Sequence, residues 1–143
     1  MNKNDLSVYT PAELILARCE AFTRGDFGFI FDTFHPESNF RRQFTECSEY
    51  LEFGTTSLAQ DYQIIRCQVL QFQENDDEAR VIFLIEMKVH GAVQRFAELA
   101  WLHREKDVWL YHRGQKMTDE ELPGELQSLC FDDFARLDPS TIF

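Results

Sequence analysis

Four polar side chains in the segment ARCEAFTRGDFGFIFDTFHP, residues 17–36, have types that can do chemistry: Arg18, Asp26, Asp32 and His35. Asp32 and His35 lie three positions apart, so on a helix they share one surface, where a carboxylate can orient an imidazole that acts as a base. A histidine at a helix end can equally bond the terminal carbonyl groups with its ring. Asp26 follows a glycine and has the position of a helix cap. The segment therefore offers one candidate acid/base pair and one candidate cation, Arg18.

Elsewhere the sequence has no motif whose spacing assembles a metal site or a nucleophile. The four cysteines stand far apart and form no C-x-x-C pair: Cys19, Cys47, Cys67 and Cys130. The remaining histidines share no metal-ligand spacing: His90, His103 and His112. A Gly-rich phosphate loop and a nucleophile elbow are both missing. We therefore expect scattered buried thiols, no metal and no cofactor.

The composition is that of one globular domain with an excess of acidic groups. The chain has 143 residues, and 44% of them are hydrophobic, which is enough to bury a core without metals or disulfides. The formal charge of −11 argues against nucleic-acid binding, because such binding needs cationic side chains, and it also disfavours an anionic membrane surface. The first residues lack the apolar core of a signal peptide, and no run approaches the roughly 20 apolar residues of a spanning helix. We expect a protein of the reducing cytoplasm.

The first part of the chain has the pattern of short helices. Thr10, a following proline and a glutamate at the third position form a capping box, which predicts a helix that runs to Gly25. Asp26 is the predicted cap of a second helix, which ends at a histidine-proline pair. Apolar spacing predicts a third helix over about 39–53, closed by Gly54.

From residue 61 the apolar period changes to two, which is typical of β-strands. Four strands are predicted, near 61–73, 79–90, 94–104 and 108–115. The links between them are short, so we expect each strand to pair antiparallel with the next. In the second strand one alternating set of apolar residues should face a core: Val81, Phe83, Ile85, Met87 and Val89.

Several short motifs follow one another in an order that is similar to a known family. The helical part contains Glu13-Leu14, Arg18, Ala21-Phe22, Gly25-Asp26 and Phe34-His35-Pro36. The strands add Val81-x-Phe83, Glu98-x-Ala100-x-Leu102 and Trp109-x-Tyr111-x-x-Gly114. Over about residues 10–116 this set resembles the YchJ-like domain, a branch of the nuclear transport factor 2-like superfamily. The resemblance implies an α+β cone, in which N-terminal helices pack on a strongly curved antiparallel sheet.

Two departures from the family pattern limit what the resemblance implies. Family members commonly carry cysteine-rich SEC-C zinc segments at their ends, and the clusters that such segments need are missing here, so their adaptor role does not carry over. The histidines that precede the family's Glu-x-Ser motif are replaced by residues such as Gln94 and Arg95, and the serine is Ala100.

The resemblance also implies a conical cavity between helices and sheet, open at one end. If Glu98 lies on the inward face of the third strand, burial should raise its pKa unless a cation compensates, and Arg18 on the first helix is that candidate cation. An Arg18–Glu98 ion pair would anchor a ligand, hold an acid/base carboxylate in place, or simply tie helix to sheet. Trp109 and Tyr111 either line the cavity or pack in the core. Together with Asp32 these are the predicted ligand-binding residues.

Two functional interpretations remain open. The first is a non-catalytic protein whose cavity binds a small apolar or acidic ligand, or a partner. The second is an enzyme similar to ketosteroid isomerases or SnoaL-like proteins, which use a cavity carboxylate for acid/base chemistry. Alignment at Gly25-Asp26 puts Arg18 where the isomerases have a donor tyrosine, so their chemistry does not carry over residue for residue.

The acidic C-terminal segment forms a distinct unit in the sequence. Residues 117–143 hold seven acids and one arginine, so we divide the chain into a domain over 1–116 and a helical extension over 117–143. The outer face of the sheet would expose an apolar patch formed by Leu84, Leu99 and Trp101. We therefore expect a homodimer across that face, unless the extension folds back to cover it or closes the mouth of the cavity.

Overall fold

The computed structural model describes residues 6–143 and consists of short helices followed by an antiparallel sheet. The helices are α1 Pro11–Arg24, α2 Phe27–Asp32, α3 Asn39–Gln43, α4 Cys47–Phe53, α5 Ala59–Asp61 and α6 Phe131–Ala135. The strands are β1 Tyr62–Asn75, β2 Glu78–Val89, β3 Ala92–Glu105 and β4 Val108–Thr118. Within these residues no helix has the length and apolar character that crossing a membrane requires.

The predicted boundaries of α1 and α2 are confirmed by their caps. Thr10 and Glu13 form the capping box, with the Thr10 amide donating to Glu13 Oε1 at 3.0 Å and the Glu13 amide donating to Thr10 Oγ1 at 3.2 Å. Gly25 ends α1 with φ of 75°, a conformation that a side chain would strain. Asp26 caps α2 by accepting a bond from the amide of Phe29. Local sequence therefore determines both helices.

The predicted third helix is wrong in two respects. The segment 39–53 is interrupted between α3 and α4, because the bend lets Phe44 and Tyr50 both pack on the ring of Phe40. Gly54 does not end α4, since the chain continues through a π-helical turn, Gly54–Leu58, into α5. A Cβ at position 54 would lie 2.5 Å from the Phe27 ring, so the glycine permits close packing against α2.

The sheet has the predicted order β1-β2-β3-β4, with antiparallel pairing throughout. Its tight turns contain backbone with positive φ at Asp76, Gly91 and Lys106-Asp107, all of which lie in the short links between the predicted strands. The alternating set in β2 faces the helices, and Val81, Phe83 and Ile85 are buried in the central core. The α+β architecture predicted from the sequence is confirmed.

A bulge in β4 changes which residues of that strand face the helices. Trp101 pairs with Arg113, but the next residue of β3, Leu102, pairs with Tyr111, so His112 is an extra residue. An extra residue breaks the alternation of faces. Tyr111 and Gly114 both lie on the inner side as a result, although they are three residues apart.

The C-terminal segment covers the outer face of the sheet. Leu99 and Met117 are buried there beneath Leu129 and Phe134 of the segment, and Trp101 is partly buried beside them. Leu84, the other member of the predicted patch, is only 1% exposed. The predicted exposure of this patch is therefore wrong, and the fold-back alternative describes the structure. The homodimer stays a prediction that has lost its motivation.

The boundary predicted at residue 117 falls inside a strand. β4 continues to Thr118, and the chain later returns to β4, where Gly114 and Phe143 exchange two backbone hydrogen bonds of 2.9 and 2.8 Å. Residues 1–5 of the predicted first domain lie outside the described residues. The part of the extension beyond β4 consists of short 3-10 turns and α6, packed directly on the sheet.

We predict that Phe134→Ala lowers the free energy of unfolding by about 3–5 kcal/mol, because it opens a cavity in the layer between the C-terminal segment and the sheet. Phe134 is fully buried there. Phe72→Ala is the control, since Phe72 is 64% exposed on β1, and it should cost less than about 1 kcal/mol. Urea unfolding measures both. Equal small losses would show that the segment does not hold this position in solution.

Candidate functional site

A cavity of about 770 Å³ lies between the helices and the inner face of the sheet. Helices α1 to α4 and all four strands contribute side chains to its wall, and most of these side chains are apolar. The polar groups in the wall are few: Arg18, Asn39, Arg42, Gln43, Tyr50, Glu98, Tyr111 and His112. A large apolar space with a few polar groups is the usual form of a small-molecule site.

Arg18 enters the cavity from the face of α1 that packs on the sheet. Its Nη1 donates to the carbonyl of Ile30 at 3.0 Å and to Thr33 Oγ1 at 2.5 Å, which fixes the guanidinium to the end of α2. The guanidinium carbon lies 4.2 Å from the centre of the Phe34 ring and 4.7 Å from that of Tyr111. Burial lowers the pKa of Arg18, although an arginine remains a cation at neutral pH.

The remaining donors of Arg18 are not used by the protein. Its Nε and Nη2 make no hydrogen bond to any of residues 6–143, while Nη1 makes two. Arg18 is partly buried, and neither atom is among the fully buried ones without a partner in the described residues, so water or a ligand in the cavity can accept their hydrogen bonds. The guanidinium is therefore held rigidly by one end, and its other end can receive an acceptor.

Tyr111 is fixed by backbone hydrogen bonds to the residues that follow α2. Its amide donates to the carbonyl of Thr33, and its carbonyl accepts from the amide of His35, both at 2.8 Å. This bridge anchors Phe34 beside Tyr111, with the two rings edge to face. A Cβ at position 114 would overlap the Tyr111 hydroxyl, so Gly114 leaves the space that this side chain needs.

Glu98 lies on the inward face of β3, as predicted, and accepts a 2.8 Å hydrogen bond from the Tyr111 hydroxyl on Oε2. Burial raises the pKa of Glu98 to about 7, although the Tyr111 bond and the charges of Arg18 and Lys116 pull it down. Burial and the Glu98 charge raise the pKa of Tyr111 well above its usual value, so the phenol stays protonated. Glu98 can therefore change its charge near neutral pH inside the cavity.

The predicted direct ion pair between Arg18 and Glu98 is wrong. Both side chains extend into the cavity, but none of the ion pairs among residues 6–143 joins them. The side chain of Tyr111 connects them instead, because its ring lies under the guanidinium and its hydroxyl bonds the carboxylate. The sequence could not show this arrangement, since it depends on where the β4 bulge places Tyr111.

Two other predicted binding residues lie outside the cavity. Asp32 is exposed on α2 and does not line the wall. Trp109 is 4% exposed and packs in the central core, with the guanidinium of Arg104 over its ring at 5.2 Å. The proposed Asp32–His35 pair is also wrong, because His35 bonds Glu105 instead, at 3.0 Å from Nε2. Trp109 therefore packs in the core, and His35 connects the residues after α2 to the end of β3.

Three histidine rings cluster beside the cavity, at the end of α2. His103 and His112 stack at 4.4 Å, and His35 lies 5.1 Å from His112 and 5.6 Å from His103. Nδ1 of His112 is buried without a hydrogen-bond partner among the described residues. Burial, followed by the neighbouring His103 and His35, lowers the pKa of His112.

The ligand atoms of His35, Glu37 and His112 lie within 4.8 Å of one another, so they are the described residues best placed to approach one metal ion. Both ring nitrogens of His35 are already engaged, Nε2 with Glu105 and Nδ1 with the amide of Glu37. In this arrangement His35 therefore has both ring nitrogens committed to partners within the protein. Sequence spacing missed the histidine cluster, because positions 35, 103 and 112 meet only through the β3–β4 pairing and the Tyr111 bridge.

Several residues of the wall were not predicted as site residues. Tyr50 reaches the cavity from α4, and burial raises the pKa of its hydroxyl to about 12. Arg42 and Gln43 line it from the end of α3, and Phe143 lines it after the return of the C-terminal segment. No local signal marks these residues, because the bend after α3 and the path of the C-terminal segment place them.

The sequence of residues 10–114 matches the family described as YchJ, middle NTF2-like domain. The chain is also similar to a UPF0225 protein of Geobacter sulfurreducens, with 29% identity over 108 residues. That match covers 73% of this chain and 62% of the relative, so the chain spans less than two thirds of the relative's length.

Two solved structures share the fold at low sequence identity. A SEC-C motif containing protein from Rhodopseudomonas palustris, determined in solution, is 20% identical with a TM-score of 0.61, and the match covers 74% of this chain and 77% of that one. A candidate Ca/calmodulin-dependent kinase II association domain from Exiguobacterium sibiricum is 11% identical with a TM-score of 0.54, covering 82% and 95%. At such identities the likeness concerns the fold alone.

We predict that the free energy of unfolding falls with pH through the titration of Glu98. Its folded pKa of about 7 lies above the ordinary 4.5, so its contribution is full below pH 4.5 and is lost as the pH rises through 7. The difference between wild type and Glu98→Gln should therefore decrease by up to about 3 kcal/mol between pH 4.5 and 8. Urea unfolding at a series of pH values measures it.

Glu74→Gln is the matched control for this titration, because Glu74 is exposed at the far end of β1. A wild-type curve that runs parallel to the Glu98→Gln curve would contradict the prediction. A free energy of unfolding that rises with pH in the wild type relative to Glu98→Gln would contradict it as well.

Proposed function

The chain belongs to the YchJ-like family, which has the nuclear transport factor 2-like fold, and on that premise we propose that its cavity binds a small molecule without catalysing a reaction. The ligand is largely apolar and carries one oxygen-rich head, a carbonyl or a carboxylate. The observation that carries the proposal is the guanidinium of Arg18, whose Nε and Nη2 find no acceptor among residues 6–143 although the group lines an apolar cavity.

The size and lining of the cavity support a small ligand. A volume of about 770 Å³ falls within the range of roughly 300–1,000 Å³ that is typical of small-molecule sites. Phe22, Phe40, Ile85 and Met87 are among the apolar side chains of the wall. Burial of an apolar body against such side chains supplies most of the binding free energy, and the polar head supplies orientation.

Arg18 supports an oxygen acceptor as the head group. A guanidinium offers donors in a planar fork that fits two oxygens of a carboxylate, and hydrogen bonds to charged groups are the strong ones. The rings of Phe34 and Tyr111 both contact the guanidinium, so little motion is lost when an acceptor binds. Glu98 lowers the affinity for an acidic head group only after its own carboxyl group ionises, because the carboxylate then repels the anion.

The remaining sequence predictions about partners also stand as proposals. The cytoplasm is the proposed location, and the net charge of −11 supports the absence of a nucleic-acid partner. A homodimer remains a proposal from the sequence alone. The exposed patch that motivated it is covered in the structure, because Leu99 and Met117 of the outer face lie beneath the C-terminal segment.

Binding of 8-anilinonaphthalene-1-sulfonate tests the proposed head-group contact, because this fluorescent dye combines apolar rings with a sulfonate. We expect Arg18→Met to weaken binding about 10–100-fold, the equivalent of one lost charge-assisted hydrogen bond. Arg24→Met is the matched control, since Arg24 lies on the same helix but bonds Glu20 at the surface, and it should leave the affinity unchanged. Fluorescence titration gives both dissociation constants.

Each variant is unfolded in urea alongside the titration, because a loosened protein also binds the dye. A folded Arg18→Met protein with wild-type affinity would sink the role of Arg18. Affinity lost equally in the Arg24→Met protein would show that overall charge, and not the cavity, attracts the dye.

The pH dependence of dye binding tests the part played by Glu98. The sulfonate is ionised throughout, whereas Glu98 gains its charge around its pKa of about 7. Affinity should therefore fall between pH 6 and pH 8 in the wild type and stay nearly constant in Glu98→Gln, because the glutamine cannot ionise. A wild-type affinity that rises over this range would contradict the proposal.

One observation favours an acid/base enzyme as a second candidate function. A cavity carboxylate with a pKa of about 7, bonded to a phenol that stays protonated, is suited to exchange a proton with a bound substrate at neutral pH. In that case Glu98 transfers the proton, and the hydroxyl of Tyr111 orients the Glu98 carboxylate. Screening of carbonyl compounds for proton exchange would test this candidate, and an activity that survives Glu98→Gln with its pH profile intact would remove it.

A further inference from the structure

Two of the four cysteines meet where α1 packs on the sheet. Cys19 of α1 and Cys67 of β1 place their sulfur atoms 2.8 Å apart, and both side chains are partly buried. Cys47 and Cys130 have no cysteine partner among residues 6–143. Sequence spacing does not predict this pair, since 48 positions separate its members and only the packing of α1 on β1 joins them.

We propose that Cys19 and Cys67 form a reversible intramolecular disulfide that fastens α1 to β1 in the wall of the cavity. A disulfide has its sulfur atoms about 2.05 Å apart, so the observed pair needs to close by only about 0.8 Å. No change of partners in the fold is required. This inference is independent of whether the cavity binds a ligand.

The exchange balances with a small disulfide such as oxidised glutathione as the oxidant. The Cys67 thiolate attacks one sulfur of glutathione disulfide, forming a mixed disulfide and releasing one glutathione thiolate, which takes up the proton that Cys67 lost. Cys19 then loses its proton, attacks the sulfur of Cys67 and expels the second glutathione. The protein thiols lose two electrons and two protons in all, and one glutathione disulfide becomes two glutathione thiols.

The surroundings of Cys19 affect its part in the exchange. The hydrogen bond to Cys67 and burial raise the pKa of the Cys19 thiol, so this thiol attacks a disulfide in solution slowly. In the second step Cys19 acts within the folded protein, where its partner is already in contact. The pair therefore oxidises slowly, and the redox potential of its surroundings decides whether the bond is present at equilibrium.

Oxidation would change the wall of the cavity next to Arg18. Cys19 lines the cavity directly and follows Arg18 in the sequence. Joining it to Cys67 links the helix that carries the guanidinium to the edge strand β1. The bond restricts separation of α1 from β1, and it closes a loop long enough for a clear gain in stability.

The test uses the full chain, because trypsin places each cysteine on a separate fragment: 19–24, 43–66, 67–80 and 117–136. The folded protein is equilibrated with fixed ratios of oxidised to reduced glutathione at pH 8, its free thiols are blocked with iodoacetamide, and the digest is analysed by mass spectrometry. We expect fragment 19–24 linked to fragment 67–80 as the main product. Dithiothreitol should abolish this product.

The same equilibration in urea is the control for proximity. The proposal predicts an effective thiol concentration for the pair of Cys19 and Cys67 at least about 100-fold higher in the folded protein than in urea. Fragments 43–66 and 117–136 should remain blocked and unlinked. The proposal would be overturned if Cys19 and Cys67 were both recovered with iodoacetamide attached at equilibrium. It would also be overturned if the linked fragments were no more abundant in the folded protein than in urea.

Thermal unfolding gives a second readout that does not depend on the digest. Oxidation should raise the Tm of the wild type by about 5–10 °C, because the bond removes freedom from the unfolded chain. Cys130→Ser retains the pair and should show the same rise, whereas Cys67→Ser should show none. A rise that survives in Cys67→Ser would assign the effect to another thiol and sink the inference.

Discussion

The position of Tyr111 is the constraint on which the rest of the cavity depends. Its backbone bonds the residues that follow α2, through the carbonyl of Thr33 and the amide of His35. Its ring supports the guanidinium of Arg18, and its hydroxyl bonds Glu98. One side chain thus joins helix, sheet, cation and carboxylate. Moving it would remove the hydrogen bond of the Glu98 carboxylate and one of the two rings that contact Arg18, and burial of an unpaired charge is among the most costly changes in a protein.

The two faces of the sheet are covered by different parts of the chain and to different extents. The inner face is filled only in part by the helices, and the space that remains holds the polar groups Arg18, Glu98 and Tyr111. The outer face is filled by the C-terminal segment, whose Leu129 and Phe134 are fully buried against the sheet. A sheet with one face sealed by apolar contacts can keep a cavity on the other, because the sealed face supplies stability that the open one lacks. This division explains why the site lies among the helices.

Local chemistry made much of the fold predictable from the sequence. The capping box at Thr10, the glycine at position 25 and the cap at Asp26 define α1 and α2, since each acts through neighbours within four residues. The alternation in β2 and the turn residues at Gly91 and Lys106-Asp107 define the strands and their order for the same reason. Of the candidate site, Arg18 and Glu98 line the cavity as expected, because helical and strand periods determine which face a side chain occupies. For Tyr111 the sequence left cavity and core open, and the structure places it in both.

Contacts between distant segments decided what the sequence could not. The ion pair expected between Arg18 and Glu98 gave way to a link through Tyr111, and Trp109 went to the core, because a single extra residue at His112 shifts the pairing of β4. The histidine cluster, the thiol pair and the cover over the outer face join positions that are many residues apart, and sequence spacing carries no record of such distances. The sequence by itself therefore determined α1, α2, the four strands, the order of the strands and their inward faces. Only the tertiary structure determined the partners, since each partner is selected by the packing of the whole chain.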